Sequence, residues 1–195
     1  MRKRGILFVI SGPSGVGKGT LRTRLMEMGM DLAYSVSATT RKPRAGEIDG
    51  RDYFFMDEDK FKGMIERGEF LEYAVVYNHY YGTPRAFVER LLAQGQDVLL
   101  EIDINGARQV REKMADGVFI FIMPPSLEEL TRRLLERGKD SEEEIKKRLQ
   151  CYEEEVSQVK NYDYVVVNEC VKEAVDYLAA IVKAERCRVN RWLAD

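Results

Sequence analysis

One run of nine residues, Gly12-Pro13-Ser14-Gly15-Val16-Gly17-Lys18-Gly19-Thr20, constrains this chain more than any other. It follows an apolar, β-branched stretch, Gly5 to Ile10, and opens the segment Lys18 to Met28, where Leu21, Leu25 and Met28 recur at helical intervals. Strand, glycine loop and helix are predicted in that order, which is the context a phosphate-binding loop requires. Glycines let backbone N–H groups converge on phosphate oxygens, the helix N-terminus adds positive potential, and Lys18 can neutralise charge on a phosphoryl group. A glycine-rich turn without a ligand would share the composition but not the agreement of strand, spacing, lysine and helix. One position departs from the usual G-x-x-x-x-G-K-[ST] pattern: Gly19 follows the lysine, and the hydroxyl comes one residue later, at Thr20.

Further along, the apolar runs Val98 to Ile102 and Val118 to Met123 are each followed by a helical pattern, and Tyr164 to Val167 precedes another at Val171 to Arg186. Strands buried on both faces read this way, so the predicted fold is α/β: a parallel sheet with flanking helices, here carrying a phosphate loop. Between Tyr34 and Gln96 the pattern changes to short alternating strands, turn clusters such as Pro43-Arg44-Ala45-Gly46, and many tyrosines and arginines. An inserted subdomain is predicted there. A second interruption surrounds Gly138-Lys139-Asp140, between helices opening at Ser126 and Ser141, each with a glutamate three residues on in capping-box spacing. A short, arginine-rich lid fits that position. The predicted division is core at 1–33, 97–137 and 151–195, inserted subdomain at 34–96, and lid at 138–150.

Lysine and arginine number 31 against 33 acidic residues, which excludes a general basic field for nucleic acid and requires that any anion be bound locally. The basic start and the short apolar run after it fit neither a signal peptide nor a membrane span, so a cytoplasmic protein is expected. Cys151, Cys170 and Cys187 are far apart and outside CxxC spacing, reading as reduced thiols. The single histidine, His79, reads as a surface loop residue.

The segment Ser37-Ala38-Thr39-Thr40-Arg41-Lys42-Pro43-Arg44-Ala45-Gly46-Glu47, continuing through Gly50 to Tyr53, concentrates cations and hydroxyls where no core is being built. Two arginines beside a proline turn suit a phosphate, because guanidinium donates in a planar fork and keeps its charge near neutrality. A solvated basic loop has the same composition. Val98 to Ile102 leads to Glu101 and Asp103 at the carboxyl end of a strand, where open α/β sheets bind ligands.

These segments together with Gly68-Glu69-Phe70-Leu71-Glu72, Tyr80-Tyr81-Gly82-Thr83 and Pro124-Pro125-Ser126 resemble the guanylate kinases, in order and over nearly the whole chain. The resemblance implies ATP-dependent phosphorylation of GMP or dGMP with magnesium. It places Gly12 to Thr20, Arg133, Arg137 and Asn168 around ATP, with Lys18, Arg41, Arg137 and Arg148 catalytic. Arg41, Arg44, Tyr53 and Tyr81 would grip the GMP phosphate, and Ser37, Glu72, Thr83 and Asp103 would surround guanine. Arg133, Arg137 and Arg148 would close over the ATP phosphates, although helix-surface charge paired with Glu136 and Glu144 has the same pattern. With Gly19 in place of a hydroxyl, magnesium is expected on the nucleotide phosphates and water, reached by Thr20 and Glu101 only through water. Guanine offers N1–H and an N2 amino group as adjacent donors, which one carboxylate such as Glu72 can accept. Adenine offers an acceptor at N1 and would leave that carboxylate unpaired. Two other readings stay open here. One is a non-catalytic guanylate-kinase-like interaction module, in which phosphate loops are typically degraded; the other is a kinase for AMP or UMP.

Overall fold

The computed structural model describes residues 4–76, 78–136 and 142–192, the side chains of 142–148 excepted. Strands β1 (Leu7–Ser11), β2 (Leu32–Tyr34), β7 (Asp97–Glu101), β8 (Val118–Met123) and β9 (Tyr164–Val167) form a parallel sheet in the order β2-β7-β1-β8-β9. β1 lies at its centre and is buried along its whole length. Because successive side chains of a strand point to opposite faces, β1 serves two cores. Phe8 and Ile10 pack with Leu21 and Leu25 of α1 (Lys18–Glu27) and with Leu178 and Val182 of α7 (Val171–Arg186). Leu7 and Val9 pack on the other face with Val110 of α4 (Ile104–Lys113) and with Val88 and Leu92 of α3 (Arg85–Ala93). Helices on both faces of a parallel sheet confirm the α/β expectation.

A second sheet, β4-β3-β6-β5, rises from residues 38–84, with β3 (Ala38–Thr39), β4 (Phe54–Phe55), β5 (Phe70–Val76) and β6 (His79–Pro84). Its small core joins Ala38 and Phe70 to Phe61 on α2 (Glu58–Glu66), with the Phe61 and Phe70 rings stacked at 4.3 Å. To the short strands and turns expected between 34 and 96 the structure adds two helices, α2 and α3. Asp57 caps α2 by accepting from the Lys60 amide at 2.7 Å, and Phe61, Met64 and Ile65 lie at helical spacing on its apolar face. α3 buries Val88 and Leu92 in the core under the parallel sheet, while its Phe87 ring meets Phe54 of β4 edge to face at 5.3 Å, so this helix touches both sheets. His79 is not in a loop; it begins β6, opposite Val76, and is half-buried.

α5 (Leu127–Glu136) opens as its spacing predicts, with Ser126 Oγ accepting from the Glu129 amide at 3.1 Å. The second predicted cap, at Ser141, lies outside the described residues. α6 (Glu142–Ser157) runs unbroken through position 150, so the expected border between lid and core there is not a break in the chain's secondary structure. Among the described residues no helix is long and apolar enough to cross a membrane.

Candidate functional site

The carboxyl ends of the parallel strands converge on one rim, where the glycine loop leaves β1, Glu101 ends β7 and Asn168 follows β9. The loop's shape depends on two glycines in particular. Gly12 has φ 148° and lies so close to β8 that a Cβ would stand 2.2 Å from the Ile122 carbonyl oxygen. Gly17 caps α1 in the left-handed region at φ 96°, with Asn168 Nδ2 2.6 Å from where its Cβ would be. A side chain at Gly12 would force the loop off the sheet, and one at Gly17 would strain the left-handed backbone and collide with the Asn168 amide. Lys18 Nζ donates to the carbonyls of Gly12 at 2.6 Å and Pro13 at 3.0 Å, so the cation is drawn back across the loop it serves.

Over this loop lies a cleft of about 600 Å³ lined by Ser14, Lys18, Thr20, Glu101, Arg133 and Asn168, among others. Arg133 reaches it while its Nε donates to Glu129 Oε1 at 2.7 Å. Arg132 pairs with Glu129 as well, and the two guanidinium groups pull the Glu129 carboxyl down to about 2. Asn168 is 2% exposed, and its amide donates from Nδ2 to the Val16 carbonyl at 2.8 Å. It therefore braces the loop, and its Oδ1 is buried without a hydrogen-bond partner among the described residues. Arg137 lies outside the described residues, as does the side chain of Arg148.

A second cleft, of about 430 Å³, opens between the two sheets and is lined by Ser37, Tyr53, Glu72, Tyr81, Glu101 and Asp103, together with Arg22, Tyr34 and Asp52. Glu101 borders both clefts. It pairs with Arg22 Nε at 3.0 Å, and the Arg22 guanidinium lies 4.4 Å from the Tyr34 ring centroid. Arg22 and Tyr34 were not anticipated. The available signal was spacing, since Arg22 stands four residues after Lys18 and shares its helix face.

Glu72 is 7% exposed. Its Oε1 accepts from the Thr83 hydroxyl at 2.6 Å. Burial pushes the Glu72 carboxyl up to about 7, and the charge of Asp103 adds to the rise while the Thr83 bond and Lys113 oppose it. Thr83 is 1% exposed and does not line the cleft, so its contact is with Glu72. Asp103 caps α4, with Oδ1 accepting from the Gly106 amide at 2.7 Å. Two acids, one buried and one at a helix N-terminus, thus stand at the same cleft.

The arginines of the proline turn sit apart from that lining. Arg41 Nη2 donates to Glu47 at 2.8 and 3.0 Å, and the Arg44 amide donates to the same carboxylate at 2.7 Å. The Arg41 charge lies 5.4 Å from the Tyr53 ring centroid, and Tyr53 meets Tyr81 edge to face at 6.0 Å. Arg44 is exposed. Structure and sequence therefore agree that Arg41, Tyr53 and Tyr81 form one group, while Arg44 joins it only through Glu47.

A parallel sheet with a glycine loop at its rim, and a second cleft facing that loop across Glu101, define an α/β phosphate-loop protein of the nucleotide kinase class. The guanylate kinase family model matches residues 4–185. Curated guanylate kinases are close: that of Caldanaerobacter subterraneus is 57% identical over 98% of this chain and 93% of its own length. The guanylate kinase of Syntrophomonas wolfei is 57% identical over 97% of each. Among solved structures, guanylate kinase from Anaplasma phagocytophilum superimposes with a TM-score of 0.75 at 38% identity, covering 97% of this chain and 90% of that one. The chain belongs to the guanylate kinase family.

Proposed function

We propose that the chain transfers the γ-phosphoryl group of ATP to the phosphate of GMP, and of dGMP, with the cleft over the glycine loop taking ATP and the cleft between the sheets taking the acceptor. The observation that carries this reading is the meeting of the two clefts at Glu101, which puts a donor and an acceptor site back to back. An acceptor phosphate oxygen attacks the γ-phosphorus in line, a new P–O bond forms, and the bond from γ-phosphorus to the β–γ bridging oxygen breaks, releasing ADP. The acceptor phosphate is already a competent nucleophile, so positioning and charge stabilisation suffice.

In this reading Lys18 and the loop amides hold the donor phosphates, with Thr20, Arg133, Arg137 and Arg148 around them. Arg41, Arg44, Tyr53 and Tyr81 hold the acceptor phosphate. Ser37, Glu72 and Asp103 read guanine, and Thr83 keeps Glu72 aimed. Closure of the 34–96 segment over the acceptor would exclude water and suppress hydrolysis of ATP; the expected lid at 138–150 lies in part outside the described residues. Glu101 and the Thr20 hydroxyl offer oxygen to a hard cation that brings its own water and phosphate ligands, which suits magnesium. When bound, magnesium would neutralise charge on the transferred group. The setting proposed is cytoplasmic.

The test is ADP formation from ATP and magnesium with GMP, dGMP, AMP, UMP or no acceptor. Turnover is expected with GMP and dGMP and little without an acceptor. Comparable turnover on AMP would overturn the base-reading roles, and silence with every acceptor would favour a binding module.

A further inference from the structure

β5, which carries Glu72, is the outer strand of the second sheet. Its pairing with β6 shifts register between Phe70 and Glu72, so the ladder is weakest at the residue that must be aimed most accurately. The open edge is met by a helix instead of a strand. Gln109 of α4 accepts from the Tyr73 amide at 3.2 Å and donates to the Tyr73 carbonyl at 3.1 Å, taking the place of a neighbouring strand's peptide group. Lys113 Nζ donates to the carbonyls of Phe70 at 2.8 Å and Leu71 at 3.0 Å. These four bonds bracket Glu72 on both sides along the backbone. At Gly106 the helix comes closest: a Cβ would stand 3.2 Å from Glu72 Oε2 and 3.3 Å from Asp103 Oδ1. Positions 106, 109 and 113 fall on one helical face, and Asp103 caps the same helix.

We infer that Gln109 and Lys113 are positioning residues for guanine recognition. α4 carries Asp103 at its N-terminus and the backbone of Glu72 along its flank, so one rigid element sets the distance between the two carboxylates. The inference rests on the reading of Glu72 and Asp103 as acceptors for the base.

The experiment compares dissociation constants for GMP and IMP, which keeps N1–H but lacks the N2 amino group. The proteins are the wild type, Glu72→Gln, Gln109→Leu, Lys113→Met, the Gln109→Leu/Lys113→Met pair and the conservative Lys113→Arg. The pair is expected to lower the preference for GMP over IMP by about fivefold, the scale of one hydrogen bond lost, with ATP affinity unchanged and Lys113→Arg near wild type. Should the pair fail to fold, the two single changes carry the same expectation at smaller size. If Glu72→Gln erodes the preference while the Gln109 and Lys113 changes leave it at the wild-type value, or weaken GMP and IMP equally, the positioning role is overturned and base reading stands. If Glu72→Gln itself leaves the preference intact, base reading fails and the inference fails with it.

Discussion

The two clefts are made in different ways. The cleft over the glycine loop, proposed for the donor, has as its floor one uninterrupted run of residues whose backbone amides, glycine conformations and single lysine act together, with Glu101, Arg133 and Asn168 at its walls. The cleft between the sheets, proposed for the acceptor, gathers Ser37, Tyr53, Glu72, Tyr81 and Asp103 from distant parts of the chain. A backbone site of the first kind is specified locally and tolerates change in most of its side chains. A side-chain site of the second kind depends on each strand and helix that delivers a residue, and it can discriminate between bases for that reason.

The largest expected effect lies at the donor cleft. Lys18→Ala removes the cation that spans the loop, and turnover should fall about 10²–10³-fold, the range for loss of one preorganised charge-stabilising donor. GMP affinity, measured separately by titration, should change little. A comparable loss of GMP binding would show that the clefts are not independent. At the acceptor cleft, Arg41→Met should raise KM for GMP by roughly 10- to 100-fold, corresponding to loss of charged hydrogen bonds of about 1.5–3 kcal/mol, and leave KM for ATP alone. Steady-state kinetics with each substrate varied in turn would reveal the opposite pattern if Arg41 served the donor.

A smaller effect follows from the raised Glu72 carboxyl. Only the ionised form can accept from both guanine donors, so kcat/KM for GMP should decline as pH falls through about 7. Glu72→Gln should lose that limb, which separates it from titration of the substrate's own phosphate near pH 6. For stability the sign is reversed. The folded state holds the Glu72 proton more tightly than the unfolded chain, so the contribution is complete below the ordinary carboxylate range and is lost as pH rises through about 7. Thermal melts across that window should show the loss in the wild type and not in Glu72→Gln. The smallest effect is expected for Thr20→Ala, within about tenfold in turnover and well short of Lys18→Ala. Equal losses for the two would contradict a loop whose hydroxyl acts only through water.

The same difference explains what could be read beforehand. β8, β9 and α7 match their predicted bounds because a parallel strand is a continuous apolar run and α7 has clear helical periodicity. The glycine loop was equally plain. In the inserted region, tyrosines and turn residues masked Asp57 followed by Phe61, Met64 and Ile65, which mark α2 as a helix. Glu72 showed no sign of burial in the sequence, because its environment comes from Thr83 across the ladder and Gly106 from a distant helix. The hold of Asn168 on the Val16 carbonyl has no sequence signal either, being a contact between residues 152 positions apart. Arg22 and Tyr34 carry no such mark in the sequence, because their meeting with Glu101 exists only after α1, β2 and β7 are assembled.

Calorimetric titration of GMP and of a non-transferable ATP analogue into the wild type and Glu72→Gln tests most directly whether two clefts each read their own nucleotide. GMP binding is expected to weaken about 10- to 100-fold in the variant while the ATP analogue binds as before. Unchanged GMP binding, or equal weakening of both nucleotides, would contradict it.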